Sequence, residues 1–317
     1  MDEREMTKID GRIGLIGFGE AAQAFVTGWR KEGPIDISTY DILFDRRDAA
    51  AAKRAQCAAL DVRPVASAAE LAADVDYIFS VVTAEQAVVA ARSILSGARA
   101  GLVYFDMNSA APFRKQESAS ILATKGVDYV DVSIMTPVHP LLNKSPILVG
   151  GKVARAVEPL LASLGMSFEI VSDSVGTAST IKMMRSVAIK GIESVIVECV
   201  VGSMKLGVAD HVLPSVAAAF TNIDFRKRMD YMLERVAVHG KRRAEEMREV
   251  AATLEHAGVT NFTAAASAAQ QQTVADMKLA AEFDGKVPQD AERLGALIIE
   301  RLKSAVPAPK AKLAKGR

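Results

Sequence analysis

Residues 12–29 read RIGLIGFGEAAQAFVTGW. A short apolar run, Arg12–Gly17, meets Gly17-Phe18-Gly19-Glu20-Ala21-Ala22, and a helical pattern follows at once. This GxGxxA junction of strand and helix constrains the chain more than any other stretch. Gly17 permits the tight turn, Gly19 lets a backbone approach a pyrophosphate, and Ala22 lets helix pack on strand. The start of such a helix offers unpaired N–H groups and its positive dipole end to phosphates. Phe18, Glu20 and Ala21 complete the loop that would wrap them. Asp41 closes the second apolar run, 22 residues after Gly19, where a carboxylate accepts from ribose hydroxyls. The pattern reads as a dinucleotide site, and Asp41 favours NAD because a carboxylate repels a 2′-phosphate. For NADP, Arg46 and Arg47 are the residues that would take that phosphate.

The alternation continues along the first half. Apolar runs occur at Arg12–Gly17, Ile35–Asp41, Asp76–Val82, Leu102–Ser109, Asp128–Met135, Ser145–Gly151 and Ser167–Ser172. Several are nearly continuous in Val, Ile, Leu, Phe and Tyr, as strands covered on both faces are. Ala-rich stretches such as Ala49–Ala59 and Glu85–Ile94 lie between them. Strand and helix in repetition predict an α/β, Rossmann-type, doubly wound sheet. From Gly176 onward the patterns are helical: Ser179–Leu206, then about 211–221, 224–238, 241–257, 263–283 and 288–304, with Gly240, Gly258 and Gly285-Pro288 as breakers. The expected organisation is a dinucleotide-binding domain at 1–175, an all-α substrate and dimerisation domain at 176–304, and a disordered tail at 305–317 rich in Ala, Pro and Lys.

Composition removes several function classes. Half of the 317 residues are hydrophobic, which excludes a wholly disordered chain. Lys plus Arg is 39 and Asp plus Glu 38, so no net field draws nucleic acid or an acidic membrane surface. Two cysteines, Cys57 and Cys199, exclude a Cys-based zinc site, and no metal is expected. Residues 1–11 carry both charge signs and no apolar core, and no run of about 18 apolar residues follows, so neither leader nor membrane span is expected. The expected location is the cytoplasm.

A second constellation sits where the strands of such a sheet end, at the edge that faces the ligand crevice. Val82-Thr83 ends one run, Asn108-Ser109 the next, and Thr136-Pro137 the one after. Small hydroxyl and amide side chains there suit hydrogen bonds to a nicotinamide or a substrate. At the opening of the long helical stretch, Lys182 is followed at helical spacing by Arg185 and Ser186. A lysine held near Arg185 and partly desolvated should have a lowered pKa, which suits proton transfer near neutral pH. Arg185 offers a bidentate clamp for a carboxylate.

The ordered set GLIGFG, FDMNSAAP, DVSIMTP and G-x-A-x-x-x-K resembles the β-hydroxyacid dehydrogenase and 6-phosphogluconate dehydrogenase superfamily over nearly the whole chain, as a divergent branch. The resemblance implies a general acid/base at Lys182, dinucleotide contacts at Gly17 and Gly19, and Asn108 and Ser109 beside nicotinamide and substrate. It also implies a homodimer built on the helical domain. Ser186 stands where the family commonly has Asn, Met135-Thr136-Pro137 replaces Ser-Gly-Gly, and Ala178 replaces the second glycine of the lysine motif. The implied activity is hydride transfer between NAD(P) and a small hydroxy acid or sugar acid. Lys182, Ser186 and Asn108 would carry the chemistry, and Arg185, Thr136 and Ser109 would hold the substrate. Two alternatives stand beside it: an NADPH-dependent imine or keto reductase, a class that usually lacks the lysine, and a non-catalytic NAD(H) sensor.

Overall fold

The computed structural model describes residues 11–219, 224–258 and 260–305. The tail expected at 305–317 therefore lies, beyond residue 305, outside the described residues. In chain order the N-terminal elements are β1 (Ile13–Ile16), α1 (Glu20–Glu32), β2 (Ile37–Tyr40), α2 (Ala50–Ala59), β3 (Arg63–Pro64), α3 (Ala68–Asp74), β4 (Tyr77–Ser80), α4 (Ala87–Ser93), β5 (Val103–Asp106), α5 (Pro112–Ala123), β6 (Asp128–Ile134), β7 (Ile147–Gly150), α6 (Glu158–Ser163) and β8 (Phe168–Ser172). The strands form one sheet in the order β3-β2-β1-β4-β5-β6-β7-β8. Each neighbouring pair is parallel except β6 with β7. Strand order reverses outward from β1 and β4, which makes their carboxyl ends the switch point of a doubly wound sheet.

Successive residues of each strand alternate between two apolar layers. Leu15, Phe79, Phe105 and Val130 are register neighbours across β1, β4, β5 and β6 and share one layer. Ile16, Ile78, Tyr104 and Tyr129 belong to the other. Phe79 stacks on Phe105 with centroids 4.3 Å apart, and Trp29 of α1 lies 5.0 Å from Phe79. Burying side chains of this size contributes roughly 1.5–3 kcal/mol each, so this aromatic group anchors α1, and with it the glycine turn, to the sheet. β3 was not expected. It has only two residues, one of them proline, so no periodicity marks it.

The helical elements are α7 (Thr177–Lys205), α8 (Ala209–Ala219), α9 (Phe225–His256), α10 (Phe262–Asp276) and α11 (Ala291–Ala305). The described residues fall into two compact units. One is drawn from Met1–Arg185 and Glu249–Thr260, the other from Ser186–Arg248 and Asn261–Arg317. The second has its own core, in which Val197 and Val200 meet Leu233, Val236 and Leu294. The expected break at Gly240 is corrected: α9 runs through it. A Cβ there would lie 2.8 Å from the Gln271 carbonyl oxygen, so this glycine permits close packing of α10 rather than ending a helix. Gly258, with φ of +70°, follows the end of α9 as expected.

Asp76 fastens the entry to β4. Its carboxylate accepts from the Arg12 backbone N–H at 2.9 Å and from the Arg99 guanidinium at 2.6 Å. The Arg12 N–H, with Arg99 second among the favourable partners, holds its pKa below the ordinary 3.8 against a burial effect that raises it. A carboxyl depressed in the folded state stabilises above its unfolded pKa and loses that contribution as pH falls through the folded value. Asp76→Asn is therefore expected to flatten the loss of stability below pH 3.8, read as melting temperature against pH.

Candidate active site

The glycine turn is built as its residue types require. Gly17 has φ of +85°, and a Cβ there would fall 2.5 Å from the Val81 carbonyl oxygen, so only glycine fits. Its N–H donates to Tyr40 O at 2.9 Å. The Phe18 N–H donates to Asp41 Oδ2 at 2.7 Å, and Asp41 Oδ1 accepts from Leu43 N at 2.9 Å. Asp41 is buried, and each of its oxygens takes one backbone N–H, so it ties the turn to the end of β2. Its remaining lone pairs are what a ribose hydroxyl could use.

Gly19 is exposed, and a Cβ built there would meet nothing within 4 Å. The open backbone at Gly19, Glu20 and Ala21 begins α1, whose first-turn N–H groups have no intrahelical acceptor. These features fit a pyrophosphate held on backbone donors. Lys53 and Gln23, which the sequence reading did not single out, both donate to the Phe18 carbonyl, at 2.9 and 3.0 Å. Arg46 forms a two-point pair with Asp48, while Arg47 is exposed.

The carboxyl ends of β4, β5 and β6 bring the second constellation together. Asn108 Oδ1 accepts from the Val82 N–H at 2.7 Å, and its Nδ2 donates to Ser80 Oγ at 3.0 Å. Asp106 Oδ1 takes the Asn108 N–H at 2.9 Å. Asp106 Oδ2 takes the Tyr129 hydroxyl at 2.6 Å, a phenol whose pKa burial drives well above its ordinary value. Lys182 Nζ donates to Ser109 Oγ at 2.6 Å. Arg185 Nη1 donates to the Met135 carbonyl at 3.2 Å, next to Thr136, whose hydroxyl is buried without a protein partner. Ser186, one turn beyond Lys182, is buried. Thr83 is exposed at the start of a 3-10 turn. Thus Lys182, Ser109, Asn108 and Val82 form one linked group, with Arg185 and Thr136 linked at Met135.

Three buried residues around this group were missed from sequence. Lys115 and Asp131 lie beneath it, and Glu249 accepts from Ala111 N at 2.9 Å while pairing with Arg114 at 3.0 Å. Asp131 was the one with a signal: a carboxylate amid the apolar run DYVDVSIM has no solvated reason to be there. In the helical unit, Lys190 pairs with Glu246 and Glu193 with Arg243. Burial lowers the pKa of both Lys190 and Arg243. Among the described residues, no group of His, Cys, Asp and Glu could hold a metal ion, and no helix is long and apolar enough to cross a membrane.

Known proteins share this fold. The sequence profile of the NAD binding domain of 6-phosphogluconate dehydrogenase matches residues 12–176, and a domain of unknown function, DUF1932, matches 204–274. The structure of a conserved hypothetical protein from Sinorhizobium meliloti 1021 is similar at 33% identity and a TM-score of 0.71, covering 93% of this chain and 98% of that one. The conserved protein MTH1747, of unknown function and described as structurally similar to 3-hydroxyacid dehydrogenases, is similar at 26% identity and a TM-score of 0.64, over 87% of this chain and 100% of that one. The 2-(hydroxymethyl)glutarate dehydrogenase of Eubacterium barkeri is 25% identical over 212 residues, 65% of this chain and 67% of its own. With the glycine turn, the switch point and the profile match in agreement, the chain belongs to the family of the NAD binding domain of 6-phosphogluconate dehydrogenase, a nicotinamide-dinucleotide-binding Rossmann fold of the 3-hydroxyacid dehydrogenase type, followed by a helical C-terminal region.

Proposed function

We propose that this protein is an oxidoreductase that transfers a hydride between a nicotinamide dinucleotide and a small hydroxy acid or sugar acid, with Lys182 as general acid/base. The observation that carries the reading is the 2.6 Å hydrogen bond from Lys182 Nζ to Ser109 Oγ, at the carboxyl end of β5 beside Asn108. The dehydrogenase activity named for the Eubacterium barkeri relative supports the same substrate class.

In this reading the dinucleotide, when bound, accepts or returns the hydride at its nicotinamide ring. In oxidation the unprotonated Lys182 amine takes the substrate hydroxyl proton as the carbinol carbon loses its hydride, leaving a carbonyl. In reduction the Lys182 ammonium returns that proton. Ser109 holds the amine in place. Asn108, fixed by Ser80 and Val82, keeps an N–H and lone pairs for ligand, and Ser186 adds a hydroxyl one turn along α7. Arg185 clamps the substrate carboxylate, with Thr136 as a further polar contact. Gly17 and Phe18 shape the turn that presents the N–H groups of Gly19, Glu20 and Ala21 to the pyrophosphate, Asp41 takes the ribose, and Val82 and Thr83 the nicotinamide side.

Residues 176–304 serve as the substrate and dimerisation domain, and the protein is a homodimer. Exposed apolar side chains recur along α7 at Ile181, Met184, Ile189, Ile192 and Val195, and water is a poor partner for such a stripe.

Titration with NADH and NADPH, followed by fluorescence, tests the cofactor assignment. NADH is expected to bind more tightly than NADPH, and Asp41→Ala to weaken NADH by at least about tenfold, because the turn loses its tie to β2 as well as a ribose contact. A preference for NADPH would reassign Arg47, or Arg46 released from Asp48, to the 2′-phosphate. Binding of neither dinucleotide would overturn the reading.

A further inference from the structure

Beneath the Lys182–Ser109 contact lies a fully buried ion pair that takes no direct part in the proposed chemistry. Lys115 of α5 and Asp131 of β6 are both 0% exposed, as is Asp106, whose Oδ1 lies 3.8 Å from the same ammonium. The three ammonium hydrogens of Lys115 have three acceptors: Asp131 Oδ1 at 2.9 Å, the Asp106 carbonyl at 2.9 Å and the Val132 carbonyl at 2.8 Å. The other Asp131 oxygen faces the start of α7. Oδ2 accepts from the Gly176 N–H at 2.9 Å and the Ser179 N–H at 3.2 Å, and the Ser179 hydroxyl lies 3.1 Å from it.

Both sides of the catalytic contact therefore rest on one ammonium. Through the Asp106 carbonyl, Lys115 holds the end of β5, from which Ser109 departs. Through Asp131 it holds the first turn of α7, and Lys182 sits three residues after Ser179, on the same helix face. A buried ion pair is weak evidence for stability, because desolvation consumes most of the Coulomb gain; its advantage is a defined geometry. An apolar pair of equal volume would fill the space without accepting the α7 N–H groups.

We propose that Asp131, charge-balanced by Lys115, is a positioning residue: it caps α7 and thereby sets the Lys182 amine against Ser109. The inference rests on the assignment of Lys182 as the acid/base.

The test uses the full-length protein and needs no known substrate. Asp131→Asn keeps the shape and one carbonyl oxygen but aims an NH2 at donors; the double variant Lys115→Met/Asp131→Leu removes the pair itself and leaves the Asp106 carboxylate to its Asn108 and Tyr129 donors. Hydrogen exchange by mass spectrometry reads the protection of residues 177–185, and labelling of Lys182 with acetic anhydride across pH reads its amine. Exchange at 177–185 is expected to quicken at least about tenfold in both variants, with β1 and β4 unchanged. In Asp131→Asn, which removes the nearer of the two carboxylates beside the Lys115 ammonium, the Lys182 labelling profile is expected to move to lower pH. A double variant that is folded, with wild-type exchange at 177–185 and a wild-type Lys182 labelling rate, would overturn the proposal. Failure of the acid/base reading shows itself separately, as turnover that survives Lys182→Ala.

Discussion

Lys182→Ala is expected to lower kcat/KM for hydroxy-acid oxidation by about 10²–10⁴-fold while NADH affinity stays within about twofold of wild type. The size follows from what is removed. A positioned general base contributes two to four orders of magnitude, and nothing else in the linked group at the strand ends can take its place. Ser109 and Asn108 are a neutral hydroxyl and amide, and a guanidinium offers no lone pair to take a proton. The cofactor effect is small because the ties that shape the glycine turn run to Tyr40, Asp41 and Lys53. Lys182→Arg should not rescue, since a guanidinium does not give up its proton near neutral pH. The experiment is a steady-state assay on the best substrate of a hydroxy-acid and sugar-acid screen, with a fluorescence titration of NADH beside it. Activity retained by Lys182→Ala would favour an imine or keto reductase with another proton source. Tight dinucleotide binding with no turnover across the screen would favour a sensor.

The largest stability effect is expected in the helical unit. Arg243→Met should cost about 3–5 kcal/mol, measured by denaturant unfolding, because it strands the Glu193 carboxylate, which is 3% exposed and pairs with Arg243. A lone carboxylate at such a site must stay ionised without a partner or take up a proton, and either costs free energy. The double variant Glu193→Leu/Arg243→Met should be less destabilised than Arg243→Met alone, because no unpaired charge remains. Equal losses in the two variants would show that the arginine acts by packing its long stem and not through its charge.

The two predictions probe parts of the molecule that differ in how far they could be read from sequence. The glycine turn and the strand ends carry local signals. A positive φ at Gly17 demands glycine wherever the rest of the chain goes, and runs such as LVYFDMNS announce both a buried strand and its polar end. Lys182 and Arg185 share the opening of a helix whose period is local too. The ion pairs of the helical unit are not legible in the sequence, because partners on different helices have no spacing that identifies them. Lys190 and Glu193 are neighbours on one helix, yet their partners, Glu246 and Arg243, come from α9. Gly240 was misread for the same reason: its role depends on the approach of α10, not on its own backbone.

What the sequence by itself determined is the order of strands and helices, the glycine turn and the set of polar side chains at the strand ends. These rest on backbone sterics and on hydrophobic period, which act within a few residues. Only the tertiary structure decided that Asp41 spends its oxygens on the turn, that Lys182 meets Ser109 across 73 positions of chain, and that Lys115 and Asp131 lie buried beneath that contact. The physical reason is desolvation. A polar group removed from water must find a partner of matching geometry, and which partner it finds depends on the packing of the whole sheet.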